Sequence, residues 1–226
     1  MLNDLNAEVL RLILAGERQK ATDMISDWAQ RNSYEKVIME IIEPVLYCFG
    51  KMWAEGDNIS MGQGYVAGKV VEDIMEKADS IQLEKTTDAS LKGPIIIGNI
   101  EDDSHALGRK MIVIFLKIDG WEVIDLGKDV LAKEFVDKAV EVNAPIVAVS
   151  AMMYRTAMNI KKLREEIDKR GLTDKIQLAV GGAVFIQRPE LVKEVGGDGT
   201  AKNAIFVPDL MDRLIEKILS KGKNHE

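Results

Sequence analysis

The sequence runs to 226 residues, 46% hydrophobic and 30% charged, enough for one large domain or two modest ones that each bury a core. Its formal charge of −7 argues against nucleic acid as a main partner, because phosphate binding needs a concentrated basic face. Cys48 is the only cysteine, which excludes an intramolecular disulfide, an all-cysteine iron–sulfur cluster and a cysteine-rich zinc site within one chain.

Residues 1–85 carry helix-spaced apolar positions and almost no strand signal. Leu5, Val9, Leu12 and Ile13 mark one helix face, Met24, Ile25 and Trp28 a second helix, and Tyr34 to Ile42 a third. Pro44 is expected to open a fourth helix at its first turn, where a missing amide proton costs nothing. That helix would bury Val45, Leu46, Phe49 and Trp53 and stop at Gly56-Asp57-Asn58. A fifth runs from about Ser60 to about Leu83. This half reads as a small helical bundle. No apolar run approaches the roughly 20 residues of a membrane span, and Met1-Leu2-Asn3-Asp4 lacks the basic-then-apolar opening of a signal peptide. A cytoplasmic protein with no membrane partner is expected.

Residues 86–93 are polar and close on Gly93-Pro94, a linker pattern. From Pro94 the period changes. Strand-like runs at Pro94–Ile100, Trp121–Asp125, Pro145–Val149 and Ile176–Val180, with a weak one at Gly199–Ala201, alternate with helical stretches. The helices fall near Ser104–Ile118, Leu131–Val142, Met158–Lys169, Pro189–Val195 and Pro208–Leu219. Alternation of this kind demands crossover connections and a parallel sheet covered on both faces. Residues 94–226 therefore form a flavodoxin-like (Rossmann-type), doubly wound five-stranded α/β domain behind the helical one.

One of only two histidines, His105, follows the first strand in Asp103-Ser104-His105-Ala106-Leu107-Gly108; the other, His225, lies in a lysine-rich tail. Open α/β sheets hold ligands outside the carboxyl ends of their strands, and an acid two residues before a histidine can orient its ring for a metal. Asp103 equally suits the N-cap of the helix that follows. A dinucleotide site would place Gly-x-Gly-x-x-Gly after this strand; Asp125 fits the acid of that motif, but the glycines are absent. A phospho-receiver domain could use Asp102 and Asp103, yet Ser150 stands where it needs a third aspartate.

These residues resemble the cobalamin-binding domain shared by methionine synthase, certain mutases and the corrinoid proteins of methyltransferase systems. The family pattern of Asp-x-His-x-x-Gly, Ser-x-Leu and Gly-Gly after strands one, three and four is matched by Asp103 to Gly108, Ser150-Ala151-Met152 and Gly181-Gly182. Glu122 to Gly127 and Gly197-Asp198-Gly199-Thr200-Ala201 also look like family segments. Phe49 to Gly56 resembles the helical cap of free-standing corrinoid proteins, so the likeness spans nearly the whole chain. Met152 departs from the usual leucine, Ala106 from an acid, and Asp102 from a glycine. The cap segment Ser60 to Tyr65 lacks the proline-acid pair of close methyltransferase partners.

The resemblance implies cobalamin, in its methyl or hydroxo form or as another corrinoid, held with its benzimidazole displaced and His105 as lower ligand to cobalt. Asp103 would accept the proton of the far ring nitrogen and Thr156 the next bond of a relay, with Asp102, Ser104, Ala106 and Gly108 shaping the loop. Ser150 and Met152 would meet the benzimidazole, and Gly181 and Gly182 would let the bulky tail approach the backbone. Leu126, Gly127, Tyr154, Thr200 and Ala201 complete the expected contacts. Trp53, Met61, Gln63 and Tyr65 are candidates for a lid over the corrin, although core packing of the bundle explains them better. The implied partners are one methyltransferase specific for the methyl donor, a second that serves the acceptor, and a reductive activase. A cobalamin-dependent sensor and the cobalamin subunit of a mutase are the alternatives the same domain allows.

Overall fold

A computed structural model describes residues 3–54, 59–85 and 92–222. The chain packs as two compact units, Met1–Thr87 and Asp88–Glu226. Gly56-Asp57-Asn58, His225 and most of the expected linker lie outside the described residues.

The first unit is helical: α1 (Asp4–Leu14), α2 (Arg18–Arg31), α3 (Tyr34–Val37), α4 (Glu43–Ala54) and α5 (Met61–Lys85). Ser60 and Gln63 start α5 as a capping box, Gln63 N donating to Ser60 Oγ at 3.2 Å and Ser60 N to Gln63 Oε1 at 2.7 Å. Pro44 does not begin a separate helix. The chain runs from α3 into α4 through a π-helical turn, Ile38–Ile42, with Val37 and Glu43 both in the right-handed helical region. An α-helical Pro44 would leave the carbonyl of Glu40, four residues earlier, without its donor. Here the buried Asn6 side chain fills the gap, its Nδ2 donating to Glu40 O at 2.8 Å. A helix interior thus accepts a proline because a wider turn makes room and a side chain from α1 replaces the missing bond.

In the second unit β1 (Lys92–Asn99), β2 (Trp121–Asp125), β3 (Ile146–Ser150) and β4 (Gln177–Gly181) form a parallel sheet in the order β2-β1-β3-β4. The α/β class holds, but the fifth strand does not form among the described residues. It is reduced to a bridge between Gly199 and Ala179, because Gly197-Asp198-Gly199 supplies no apolar side chains to anchor a ladder. Ile95 to Asn99 and all of β3 are buried, the continuous pattern of strands covered on both sides. On one face lies a core of Phe135, Ile160, Leu163, Val147 and Leu178, carried by the sheet with α7 (Ala132–Glu141) and α8 (Tyr154–Lys169). The other face packs Ile95, Ile97, Leu116, Leu210 and Leu214 with α6 (Ala106–Ile118) and α11 (Val207–Gly222).

Two short helices follow β4: α9 (Ala183–Gln187), which the sequence pattern did not reveal, and α10 (Leu191–Glu194). Helix α8 begins at Tyr154, four residues before the apolar spacing indicates. Among the described residues no helix is long and apolar enough to cross a membrane.

Candidate functional site

The strand order reverses beside β1: β2 lies on one side and β3 on the other. Ligands of open α/β sheets bind at this switch point, outside the carboxyl ends of the strands. Register places Asn99 opposite Ser150 and Ser150 opposite Gly181, so the ends of β1, β3 and β4 form one row.

Asp103 sits beneath that row, fully buried. Its Oδ1 accepts from the His105 amide at 2.8 Å, from His105 Nδ1 at 3.1 Å and from Asn99 Nδ2 at 3.4 Å. Its Oδ2 accepts from the Met152 amide and from Thr156 Oγ1, the latter at 3.1 Å. Burial pushes this carboxyl upward, but the Met152 and His105 amides, the Thr156 hydroxyl and the His105 ring together outweigh it and hold the acid below the ordinary aspartate range. A carboxylate can only accept, so this bond requires the proton on Nδ1 of His105 and leaves Nε2 out of it. The ring itself is 48% exposed. The arrangement is a half-exposed imidazole bonded to a buried carboxylate.

Asp103 does not cap α6. The residue preceding that helix is His105, whose side chain makes no capping bond. Asp103 instead draws together the loops after β1 and β3.

Asp102 lies in the left-handed region, φ +68°, which accounts for the glycine of the family pattern. Asp129 Oδ1 accepts from its amide at 2.8 Å, and Asn159 Nδ2 donates to the Glu101 carbonyl at 3.1 Å, steadying the turn. Ser104 is exposed and its carbonyl accepts from the Ala106 amide. Gly108 faces open space on the first turn of α6. Leu126 and Gly127 are tied to β1, Leu126 N donating to Ile97 O and Gly127 O accepting from Asn99 N. Met152, Met153 and Tyr154 stand about half exposed after β3, and Arg188 lies over the Tyr154 ring at 5.1 Å.

The two glycines after β4 differ. At Gly182, φ +110°, an added Cβ would fall 2.1 Å from the Ala151 carbonyl oxygen, so the backbone itself requires glycine there. Gly181 has nothing within 4 Å of that position, leaving a bare strand end. Thr200 and Ala201 lie past the Gly199 bridge, and Ala201 packs against the α6–α11 core.

The structure therefore gathers Asp103, His105, Met152 and Thr156 into one hydrogen-bonded cluster and sets Ser150 and Gly181 in the row above it. Asn99 and Arg109 join this network and Asp129 and Asn159 steady the adjoining turn, all four without having been singled out by sequence. The signal was present for two of them: an asparagine closing the apolar run Ile95-Ile96-Ile97, and an arginine four residues after His105 in an otherwise apolar helix. Among the lid candidates, Gln63 is committed to the start of α5 and to the Leu14 carbonyl, at 2.8 Å. Tyr65 is exposed, and the Trp53 and Met61 side chains lie outside the described residues.

A four-stranded open sheet bearing this loop at its switch point defines a B12-binding α/β domain, and the family model described as B12 binding domain matches residues 93–205. The chain is 37% identical to a trimethylamine corrinoid protein of Methanosarcina acetivorans over 201 residues, covering 83% of this chain and 92% of the relative. It is 31% identical to a corrinoid protein of Desulfitobacterium hafniense, covering 91% of each. The solved monomethylamine corrinoid protein of Methanosarcina barkeri superposes with a TM-score of 0.78 at 20% identity, over 92% of this chain and 97% of that one. The chain belongs to the B12-binding corrinoid protein family, and its cofactor is cobalamin with its cobalt.

The residues present fit that cofactor. Among the described residues no group of three or more His, Cys, Asp or Glu could hold a metal ion. A lone exposed imidazole suits a metal whose remaining ligands arrive with a macrocycle. The open glycine at the end of β4 and the half-exposed Met152, Met153 and Tyr154 offer a bulky, partly apolar ligand close access to the backbone.

Proposed function

We propose that the chain is the corrinoid carrier of a methyltransferase system, with cobalamin bound base-off and His105 as the lower axial ligand. One partner, specific for the methyl donor, would load the carrier, a second would serve the acceptor, and a reductive activase would restore it. The cofactor supplies a cobalt centre able to take up and release a methyl group. The protein supplies orientation and proton control. The observation that carries the reading is the exposed His105 ring with Nδ1 held by a buried, five-fold bonded carboxylate.

Asp103 would set the tautomer through Nδ1 and leave Nε2 for the metal. Thr156 Oγ1 has one proton and two acceptors, Asp103 Oδ2 at 3.1 Å and the Met153 carbonyl at 3.0 Å. It can therefore strengthen or withdraw one bond to the carboxylate as the charge on the imidazole changes, without moving backbone. Ser150 and Gly181 would receive the displaced tail, and Met152 would pack on it. The helical unit would serve as the cap.

Support also comes from relatives matched over most of their length, which are named as trimethylamine corrinoid proteins, and from a fold neighbour titled as a methanol:cobalamin methyltransferase complex. The test is to titrate purified chain with hydroxocobalamin and record its absorption. Tight binding with a His-ligated spectrum, converted in His105→Ala to that of water-ligated, base-off cofactor, is the expected result. Unchanged spectra in the variant would remove the axial assignment.

A further inference from the structure

We propose that Asn99 and Arg109 form a buried positioning pair that fixes the Asp103–His105 unit in its metal-facing pose, an inference that rests on the axial reading of His105. The ring needs such support. It is half exposed, among the described residues its side chain is tied through the Nδ1 bond to Asp103, and its backbone (φ −82°, ψ 76°) belongs to no regular element.

Asn99, the last residue of β1, is fully buried. Its Nδ2 donates twice, to Asp103 Oδ1 at 3.4 Å and to the His105 backbone carbonyl at 3.2 Å. Its Oδ1 accepts from Arg109 Nη1 at 3.0 Å. This pattern admits only one amide orientation. Turned over, the amide would set an oxygen against a carboxylate and a carbonyl and its NH2 against a guanidinium.

Arg109 is 5% exposed. A buried cation is costly unless paired, and its partner lies at the end of β2, where Asp125 Oδ1 is 3.1 Å from Nε. That contact lacks hydrogen-bond alignment, so it acts through charge. Arg109 thus ties the Asn99 amide at the end of β1 to Asp125 at the end of β2, and its charge polarises the amide toward Asp103. The chain Asp125–Arg109–Asn99–Asp103–His105 carries the rigidity of the sheet out to the imidazole. Asn99 and Arg109 are positioning residues, since neither reaches the ligand side.

Two measurements test the pair. The first uses full-length apoprotein with nitrogen-15 histidine, which gives two imidazoles, His105 and His225, assigned by His105→Ala. Wild type should show His105 as the single Nδ1–H tautomer, and Asn99→Ala and Arg109→Met should show a tautomer mixture. The second is hydroxocobalamin affinity, expected to fall about tenfold in both variants, with Arg109→Lys intermediate. Leu214→Ala, a core change in the same unit, should destabilise the fold and move neither readout. Should Asn99→Ala fail to fold, Arg109→Met and Arg109→Lys decide the question. A single unshifted tautomer and wild-type affinity in the variants would overturn the proposal. If wild type itself binds cobalamin without nitrogen ligation, the axial reading alone fails, and the apoprotein tautomer still decides whether the pair holds the ring.

Discussion

Two aspartates of the α/β unit, Asp103 and Asp198, both lie in segments that resemble the family pattern and both tie loops to the sheet, yet their bonded networks differ. Asp103 gathers five donors and one of them is an exposed ring. Asp198 accepts from Arg164 Nη2 and from the Leu178 amide at 2.7 Å, while Arg164 Nε holds the Gly196 carbonyl at 2.7 Å. Every partner of Asp198 in that set is backbone or an arginine, and the result is a closed edge beside β4. Motif membership alone does not separate a site carboxylate from a structural one. What separates them is whether the bonded network ends in a group facing solvent.

The comparison is broken most forcefully at Asp103. Asp103→Ala removes the acceptor of two amides and a hydroxyl in a buried place, which should cost about 3 kcal/mol of stability. It should also weaken hydroxocobalamin binding by about 10- to 100-fold; urea melts and absorbance titration measure the two. Asp198→Ala sharpens the contrast, with a stability loss of about 2 kcal/mol and cofactor affinity within about twofold of wild type. Equal losses of affinity in both variants would erase the distinction. A smaller effect is expected at Asp102, whose φ of +68° favours glycine. Asp102→Gly should be neutral or raise stability by about 0.5 kcal/mol, leaving cobalamin affinity unchanged in the same titration.

A further effect, on stability alone, lies in the helical unit. Asp73 is held below the ordinary aspartate range chiefly by the hydrogen bonds of Arg18, with Thr22 adding to them. A depressed folded-state value means that this contribution is complete above the unfolded aspartate value of about 3.9 and fades as pH falls through the folded one. The pair is partly exposed, so the size is at most about 1 kcal/mol. Asp73→Asn should lower stability at pH 6 and converge on wild type near pH 2, as followed by denaturant melts.

Much of this was legible in the residues. The switch from helical period to β-branched runs at Pro94 gave the class and the order of the elements, and Asp103-x-His105 marked the loop on which the candidate site is built. What the pattern missed has physical causes. Pro44 signals a helix start, yet the Asn6 bond to the Glu40 carbonyl lets it sit inside one, a tertiary contact that no local rule sees. Gly199 to Ala201 has a β-branched threonine but too few anchors for a ladder. Asn99 and Arg109 looked like a strand end and a helix cation. The role proposed for them depends on β1, β2 and the β1–α6 loop converging.

The most direct test of the central claim is the paramagnetic resonance spectrum of the chain loaded with cobalamin in the singly reduced cobalt state, with and without nitrogen-15 histidine. Axial ligation by His105 predicts a three-line nitrogen splitting that becomes two-line on histidine labelling and disappears in His105→Ala. A three-line splitting indifferent to the label would show the cofactor's own base still on the metal and contradict the account.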